Sequence, residues 1–309
     1  MVDVSTIIDE ALYEVAIARE HNLHALLRGL ETNSSHFQPA QLRERLIALD
    51  DLDAGFGGLD CEDSTRRTDS HMHQRAKALR TRLEACNADL YRSVRSAIVH
   101  GGKPHALLQW LRYPASDNET RIPSPGFGFD FRDELVSGVL ELPEPGEPNL
   151  QRSPEMVPYQ PTPVRHILDA IAATKLGEDD IFVDLGSGLG HVPLLVSMVT
   201  GAQCLGIEVQ AAYVASAREC AQNLHLNRIE FVTQDAREAD LSRGTVFYLY
   251  SPFKGSILTD VLRALRMESM RRSITICSLG PCTRRVANET WLKATAPHDT
   301  GRITVFESQ

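Results

Sequence analysis

The stretch Ile181-Phe182-Val183-Asp184-Leu185-Gly186-Ser187-Gly188-Leu189-Gly190 constrains this chain more than any other. Ile181 to Leu185, apolar but for Asp184, reads as a strand, and a helix over about 191 to 200 follows directly on the glycine turn. A chain that passes from strand to helix so quickly needs backbone angles that side chains forbid, and Gly186, Gly188 and Gly190 supply them. The missing side chains also let a ligand lie against bare backbone, below the N–H groups that open the helix.

Spacing and charge narrow that ligand. A dinucleotide turn reads G-x-G-x-x-G, its third glycine packing below a pyrophosphate; here that position is His191. Asp184, at the strand end, would repel a pyrophosphate but attracts a methionyl ammonium, which favours S-adenosylmethionine. A second strand, Cys204 to Val209, brings Glu208 to a position from which a carboxylate accepts from both hydroxyls of a ribose. A third, Ile229 to Thr233, ends at Asp235 and Ala236, placed to receive an adenine amino group and to donate to the ring.

With these motifs and Tyr250-Ser251-Pro252-Phe253 after a fourth strand, the segment from about Tyr159 to Gln309 resembles the class I S-adenosylmethionine-dependent methyltransferases. Apolar strands at 181–185, 204–209, 229–233, 245–250 and 273–279 alternate with helical stretches, as a parallel α/β sheet requires. A hairpin over 290–296 and 302–307 follows. The resemblance implies a doubly wound seven-stranded sheet with an antiparallel last strand, and a cofactor held by Asp184, Gly186, Ser187, Gly188, Gly190, Glu208, Asp235 and Ala236. It also implies that the segment before the first helix folds over the cofactor, so that Tyr159 and Thr162 contact its methionine portion. Thr162 reads as N-cap, and Pro163 as first residue, of a helix from Val164 to Leu176 stopped by Gly177.

Within that superfamily, Phe182 to Gly190 is similar to the turn of the non-SET histone-lysine methyltransferases. Their asparagine-rich fourth motif and long basic tail are absent here. The acceptor is expected over Tyr250, Ser251, Pro252 and Phe253, where Tyr250 or Ser251 orients it and Phe253 offers an aromatic wall. Methyl transfer is an in-line displacement and needs no covalent nucleophile.

The N-terminal part has a helical period. Residues 5 to 30 form one expected helix, a shorter one starts near Pro39, and the longest runs from about Asp69 to His100 before Gly101-Gly102. Met72, Ala76, Leu79, Leu83, Cys86, Leu90, Val94 and Ala97 make its apolar stripe, to be covered by the first helix or by a second copy in a homodimer. The expected organisation is an all-α domain over 1–120, a connecting segment over 121–158 and a methyltransferase domain over 159–309.

The connecting segment is acidic: residues 121–160 hold seven carboxylates against three basic groups. Phe127, Phe129, Phe131, Asp130 and Glu134 suit either a lid over a cationic or amine substrate or packing between domains with the acids in water. A net charge of −9 and no uninterrupted basic patch disfavour nucleic acid as acceptor. No apolar run spans a membrane and no basic, apolar leader opens the chain, so a cytoplasmic protein is expected. Six scattered cysteines signal neither disulfides nor a metal site. The leading expectation is methylation of a small molecule or peptide, at nitrogen if its amine is bound here. Protein lysine methylation and a non-catalytic cofactor-binding module are the alternatives.

Overall fold

The structure, a computed structural model, describes residues 21–56, 70–101, 105–111, 128–147 and 153–309. It divides into two compact units, Met1–Ser93 and Val94–Gln309.

In the first unit, α1 (residues 21–32) leads through two short 3-10 turns into α2 (Leu42–Phe56), and α3 (Ser70–Val99) follows. Leu27 and Leu30 of α1, Ala48 and Leu52 of α2, and Met72, Ala76, Leu79 and Leu83 of α3 form one core. That half of the α3 stripe therefore has partners within the chain; the part of the expected first helix before residue 21 lies outside the described residues. The basic face of α3 meets acids and a ring. Arg75 pairs with Glu31 at 2.6 Å, Arg80 with Glu84 at 2.8 Å and Asp53 at 3.4 Å, and the Arg82 guanidinium sits 4.1 Å from the Phe37 ring. Arg45, fully buried, is held by neutral acceptors: Asn87 Oδ1 at 2.6 Å and the carbonyls of His36, Gln38 and Pro39.

The second unit continues with α4 (His105–Leu111), α5 (Phe131–Leu140), α6 (Val164–Thr174), α7 (His191–Thr200), α8 (Ala211–Asn223), α9 (Gly255–Ser269) and α10 (Cys282–Ala287). Its strands are β1 (Ile181–Leu185), β2 (Gln203–Glu208), β3 (Ile229–Thr233), β4 (Val246–Tyr250), β5 (Thr275–Leu279), β6 (Leu292–Ala294) and β7 (Thr304–Ser308). They form one seven-stranded sheet in the order β3-β2-β1-β4-β5-β7-β6, parallel except for β7. This is the doubly wound class I sheet that the sequence implies. Successive β1 residues face opposite sides: Val183 and Leu185 join Phe247, Leu249, Val261 and Leu265 in one core, while the Phe182 ring lies 6.0 Å from Tyr248 on the other face. Chain order reverses between β1 and β4, which opens a crevice beyond their carboxyl ends.

Residues 128–147 depart from the lid expectation. Asp130 caps α5: its carboxylate accepts from the Arg132 N–H at 2.7 Å, and its own N–H donates to Asp133 Oδ2 at 2.7 Å, a reciprocal capping box. The helix buries Leu135, Val136, Val139 and Leu140, and Arg95 donates to its last carbonyls at 2.6 and 2.8 Å. Beyond it, the Ser216 hydroxyl donates to the Pro143 carbonyl at 2.6 Å. The segment is thus packed structure, whose apolar face needed a helical period to be recognised. Phe129 is 54% exposed, and Phe127 lies outside the described residues.

The start of α6 also differs from expectation. Pro163 stands at the N-cap, and the acceptor comes from Asp133 Oδ1, 2.8 Å from the Val164 N–H. Thr162 is buried, with its hydroxyl 3.3 Å from that of Tyr248. The helix ends at Thr174 because Lys175 takes the left-handed conformation, before Gly177 is reached. One carboxylate, Asp133, therefore serves two helix starts. Asp133→Ala is expected to destabilise the protein by about 1–3 kcal/mol in denaturant unfolding, and Glu134→Gln to change stability by no more than about 0.5 kcal/mol.

Candidate active site

A cavity of about 850 Å³ lies across the carboxyl ends of β1 to β5. At its centre the β1–α7 turn uses the left-handed region three times, with φ of 87° at Gly186, 54° at Gly188 and 81° at Gly190. The bare faces of these glycines are occupied by protein. A Cβ would meet Pro252 Cβ at 2.3 Å on Gly186, the Tyr159 ring at 2.2 Å on Gly188 and the Phe231 ring at 2.6 Å on Gly190. Gly186 and Gly188 thus admit two walls of the site as well as the tight turn, whereas Gly190, which does not line the cavity, makes room for the core residue Phe231; this corrects the expectation that their empty positions serve the ligand directly. The Gly186 and Ser187 N–H groups donate to the Ile207 carbonyl at 2.8 and 3.0 Å and fix the turn to the end of β2.

Asp184 stands at the floor, beside Tyr248 in the register of β1 and β4. It is 4% exposed, and no donor among the described residues reaches its carboxylate. Burial first, and the Glu208 charge second, push it well above the usual carboxylate range. A buried acid without a donor suits a cationic ligand group. Nearby, the Ser187 hydroxyl is buried without a hydrogen-bond partner.

Glu208 is fixed by two backbone donors: Oε2 accepts from the Gly188 N–H at 3.0 Å and Oε1 from the Gln210 N–H at 2.9 Å. Each oxygen retains a lone pair, one for each of two vicinal hydroxyls. Asp235 lines the same side and is gripped by Arg237, which donates through Nε at 3.0 Å and Nη2 at 2.7 Å. These bonds hold its carboxyl below the ordinary value. Ala236 is buried beside it in the cavity wall. Asp184, Glu208, Asp235 and Ala236 thus sit in one wall, with donors and acceptors matching an ammonium, a ribose and an adenine.

Tyr159 closes this half from above. Its hydroxyl is 2.7 Å from His191 Nδ1 and its ring 5.7 Å from that of Tyr213. Burial, then the Asp184 charge, raises the Tyr159 phenol, while burial lowers the His191 imidazole to about 4, so that His191 is neutral at physiological pH. Thr162 lines the cavity with its hydroxyl engaged by Tyr248.

The other half lies over β4 and β5, where Tyr250, Ser251, Pro252 and Phe253 all line the cavity but serve different ends. Ser251, with φ of 45°, donates its hydroxyl to the Leu279 carbonyl at 3.1 Å and accepts from the Cys282 N–H at 3.0 Å. It ties the β4 loop to α10, so the acceptor-orienting role expected of it is taken up by structure. The Pro252 carbonyl accepts from the Val157 N–H at 3.0 Å, and Phe253, 6% exposed, pairs with Met156. Tyr250 keeps its phenol in the cavity wall, pushed by burial up to about 12. Asp130 and Glu134 are not among the residues lining the cavity.

Met156, Tyr213, Lys254, Cys282 and Arg285 line the cavity without having been singled out from sequence. They come from four separate elements, and only sheet order brings them together. His191 was visible as the break in the dinucleotide spacing, but its bond to Tyr159 was not.

Because Asp184 has a raised pKa and binds an ammonium only as carboxylate, S-adenosylhomocysteine binding should release a proton over the range in which Asp184 is protonated in the free protein. Affinity should rise with pH until that group has ionised. Calorimetry in two buffers of different ionisation enthalpy measures the release. Asp184→Asn is expected to weaken binding at least tenfold and remove the release; an unchanged release would assign the proton elsewhere.

Residues 157–251, from the segment before α6 through the first residue after β4, match the family model described as histone methylation protein DOT1. A protein-lysine N-methyltransferase of Saccharolobus islandicus is 26% identical over 152 residues, covering 48% of this chain and 85% of that protein. Among solved structures, an RNA methyltransferase from Salinibacter ruber in complex with S-adenosyl-L-homocysteine is 25% identical, with a TM-score of 0.40 over 48% of this chain and 92% of its own. A precorrin-6y C5,15-methyltransferase from Geobacter metallireducens is 14% identical, with a TM-score of 0.38 over 50% of this chain and 92% of its own. No helix among the described residues is long and apolar enough to cross a membrane. The sheet order, the acids at the ends of its first three strands and the family match over the intervening turn identify the chain as a class I S-adenosylmethionine-dependent methyltransferase.

Proposed function

We propose that the chain methylates the side-chain amine of lysine in a protein or peptide. The observation that carries this reading is the chemistry over β4 and β5. That half of the cavity presents Tyr250, Pro252, Phe253, Ile257, Leu258 and Pro281, with Lys254 and Arg285 as its charged groups and neither a carboxylate nor an imidazole among the described residues. An oxygen acceptor needs a general base at the nucleophile. A lysine amine needs none once it is neutral, and its methylene stem matches an aromatic and aliphatic wall. The lysine-directed activity in the name of the Saccharolobus islandicus relative supports the same choice.

When bound, S-adenosylmethionine supplies a methyl group on a sulfonium. Asp184 would hold the ammonium, Glu208 the ribose hydroxyls, and Asp235 with Ala236 the adenine. The chain's remaining tasks are alignment and exclusion of water. Tyr159, packed on Gly188 and bonded to His191, covers the donor half. Ser251 holds the loop after β4 rigid through its two bonds to Leu279 and Cys282, so that Tyr250 and Phe253 present a fixed wall to the incoming amine.

Incubation with methyl-labelled cofactor and separated protein, nucleic-acid and small-molecule fractions tests the proposal. Label is expected on lysine in the protein fraction and is expected to be lost in Asp184→Ala. Label confined to small molecules would overturn the lysine reading. At saturating cofactor, kcat/KM for the acceptor should rise with pH as a single limb set by the acceptor amine. His191, already neutral above about pH 5, adds no second limb.

A further inference from the structure

The charged side chains of the cavity are divided by strand order. Its three carboxylates, Asp184, Glu208 and Asp235, stand at the ends of β1, β2 and β3. Across the crevice its charged groups are Lys254, at the N-cap of α9 four residues beyond β4, and Arg285, on the helix after β5. β4 and β5 are parallel neighbours in the sheet, so both cations belong to the acceptor half. Lys254 is exposed and makes no ion pair among the described residues. Arg285 gives one nitrogen to Glu289, whose other oxygen accepts from Trp291 Nε1 at 2.7 Å. Glu289 is not among the residues lining the cavity.

Two cations and a sulfonium make this half hostile to a lysine presented among other basic groups. A lysine presented among carboxylates brings its own counter-charge. We propose that Lys254 and Arg285 are specificity-determining residues, selecting an acidic peptide segment in which carboxylates flank the target lysine. This rests on the lysine reading above. Lys254 is the stronger element, being exposed and in no ion pair among the described residues, whereas Arg285 shares its charge with Glu289. The pair also disfavours the protonated form of an approaching amine, because like charges at close range oppose ionisation.

Three matched peptides test this, each with one central lysine flanked by Glu, Gln or Arg. They are measured with the full chain for kcat and KM and, by calorimetry, for binding to the protein loaded with S-adenosylhomocysteine. The Glu-flanked peptide is expected to have the highest kcat/KM, through KM, and its advantage should shrink as salt rises. Lys254→Glu should reduce that advantage by about two- to fivefold, as reversal of an exposed charge implies, and Arg285→Gln by less. Unchanged S-adenosylhomocysteine affinity in both variants shows that the fold is intact. Equal binding and kcat/KM for the Glu and Gln peptides, or a preference untouched by Lys254→Glu, would overturn the proposal. A Glu preference in binding that Lys254→Glu removes, with no methyl transfer to lysine in any peptide, would uphold the charge selection and overturn the lysine reading instead.

Discussion

Asp184 carries a carboxylate to the end of β1, where no donor among the described residues reaches it. An ionised carboxylate so placed costs several kcal/mol unless it is paired, and the group responds by holding its proton well above the ordinary range. The surroundings enforce this: Phe182 and Tyr248 flank it on the sheet, Glu208 adds a like charge, and the glycine turn closes over it. A ligand ammonium is the natural partner for such a group. Much of the local architecture follows, because Glu208 cannot move away: both of its oxygens are fixed by the Gly188 and Gln210 N–H groups.

The second constraint is the strap that enters the domain. Glu155 accepts from the Ser256 hydroxyl at 2.8 Å and the Ile257 N–H at 3.1 Å, so it caps α9, while its carbonyl accepts from the Lys254 N–H at 2.9 Å. Val157 binds the Pro252 carbonyl, Met156 pairs with Phe253, and Tyr159 packs on Gly188. Three residues of one strap thus reach the acceptor loop, and a fourth reaches the donor turn. The strap joins the two halves of the cavity, and any displacement of it alters both.

The fold, and the gathering of Asp184, Glu208 and Asp235 into one cavity, were legible in the sequence because their signals are local. Strand periodicity, three glycines with positive φ and one acid per strand end each occupy a few consecutive residues. The acceptor half was not, because its chemistry is assembled from distant segments. Ser251 reads as an exposed hydroxyl in a motif, yet its bonds run to Leu279 and Cys282. Asp130 reads as a lid carboxylate until Asp133, three residues on, is recognised as the other half of a capping box. Asp133 in turn caps a helix thirty-one residues away. Thr162 loses its capping role for the same reason, since a distant carboxylate reaches Val164 first.

Strand order also explains why the cavity divides by charge. In a sheet ordered β3-β2-β1-β4-β5, the first three strands deliver their ends to one side of the switch point and the next two to the other. The donor is cationic at its ammonium and sulfonium and rich in hydroxyl and amino hydrogens, so acceptor oxygens on β1 to β3 complement it. On the lysine reading proposed above, a carboxylate on β4 or β5 would instead stabilise the ammonium form of the incoming amine, which cannot attack. Cations there leave the amine its lone pair. On that reading, the division places acids where the donor is bound and keeps the cavity's carboxylates away from where the amine must be neutral, and one sheet topology accomplishes both.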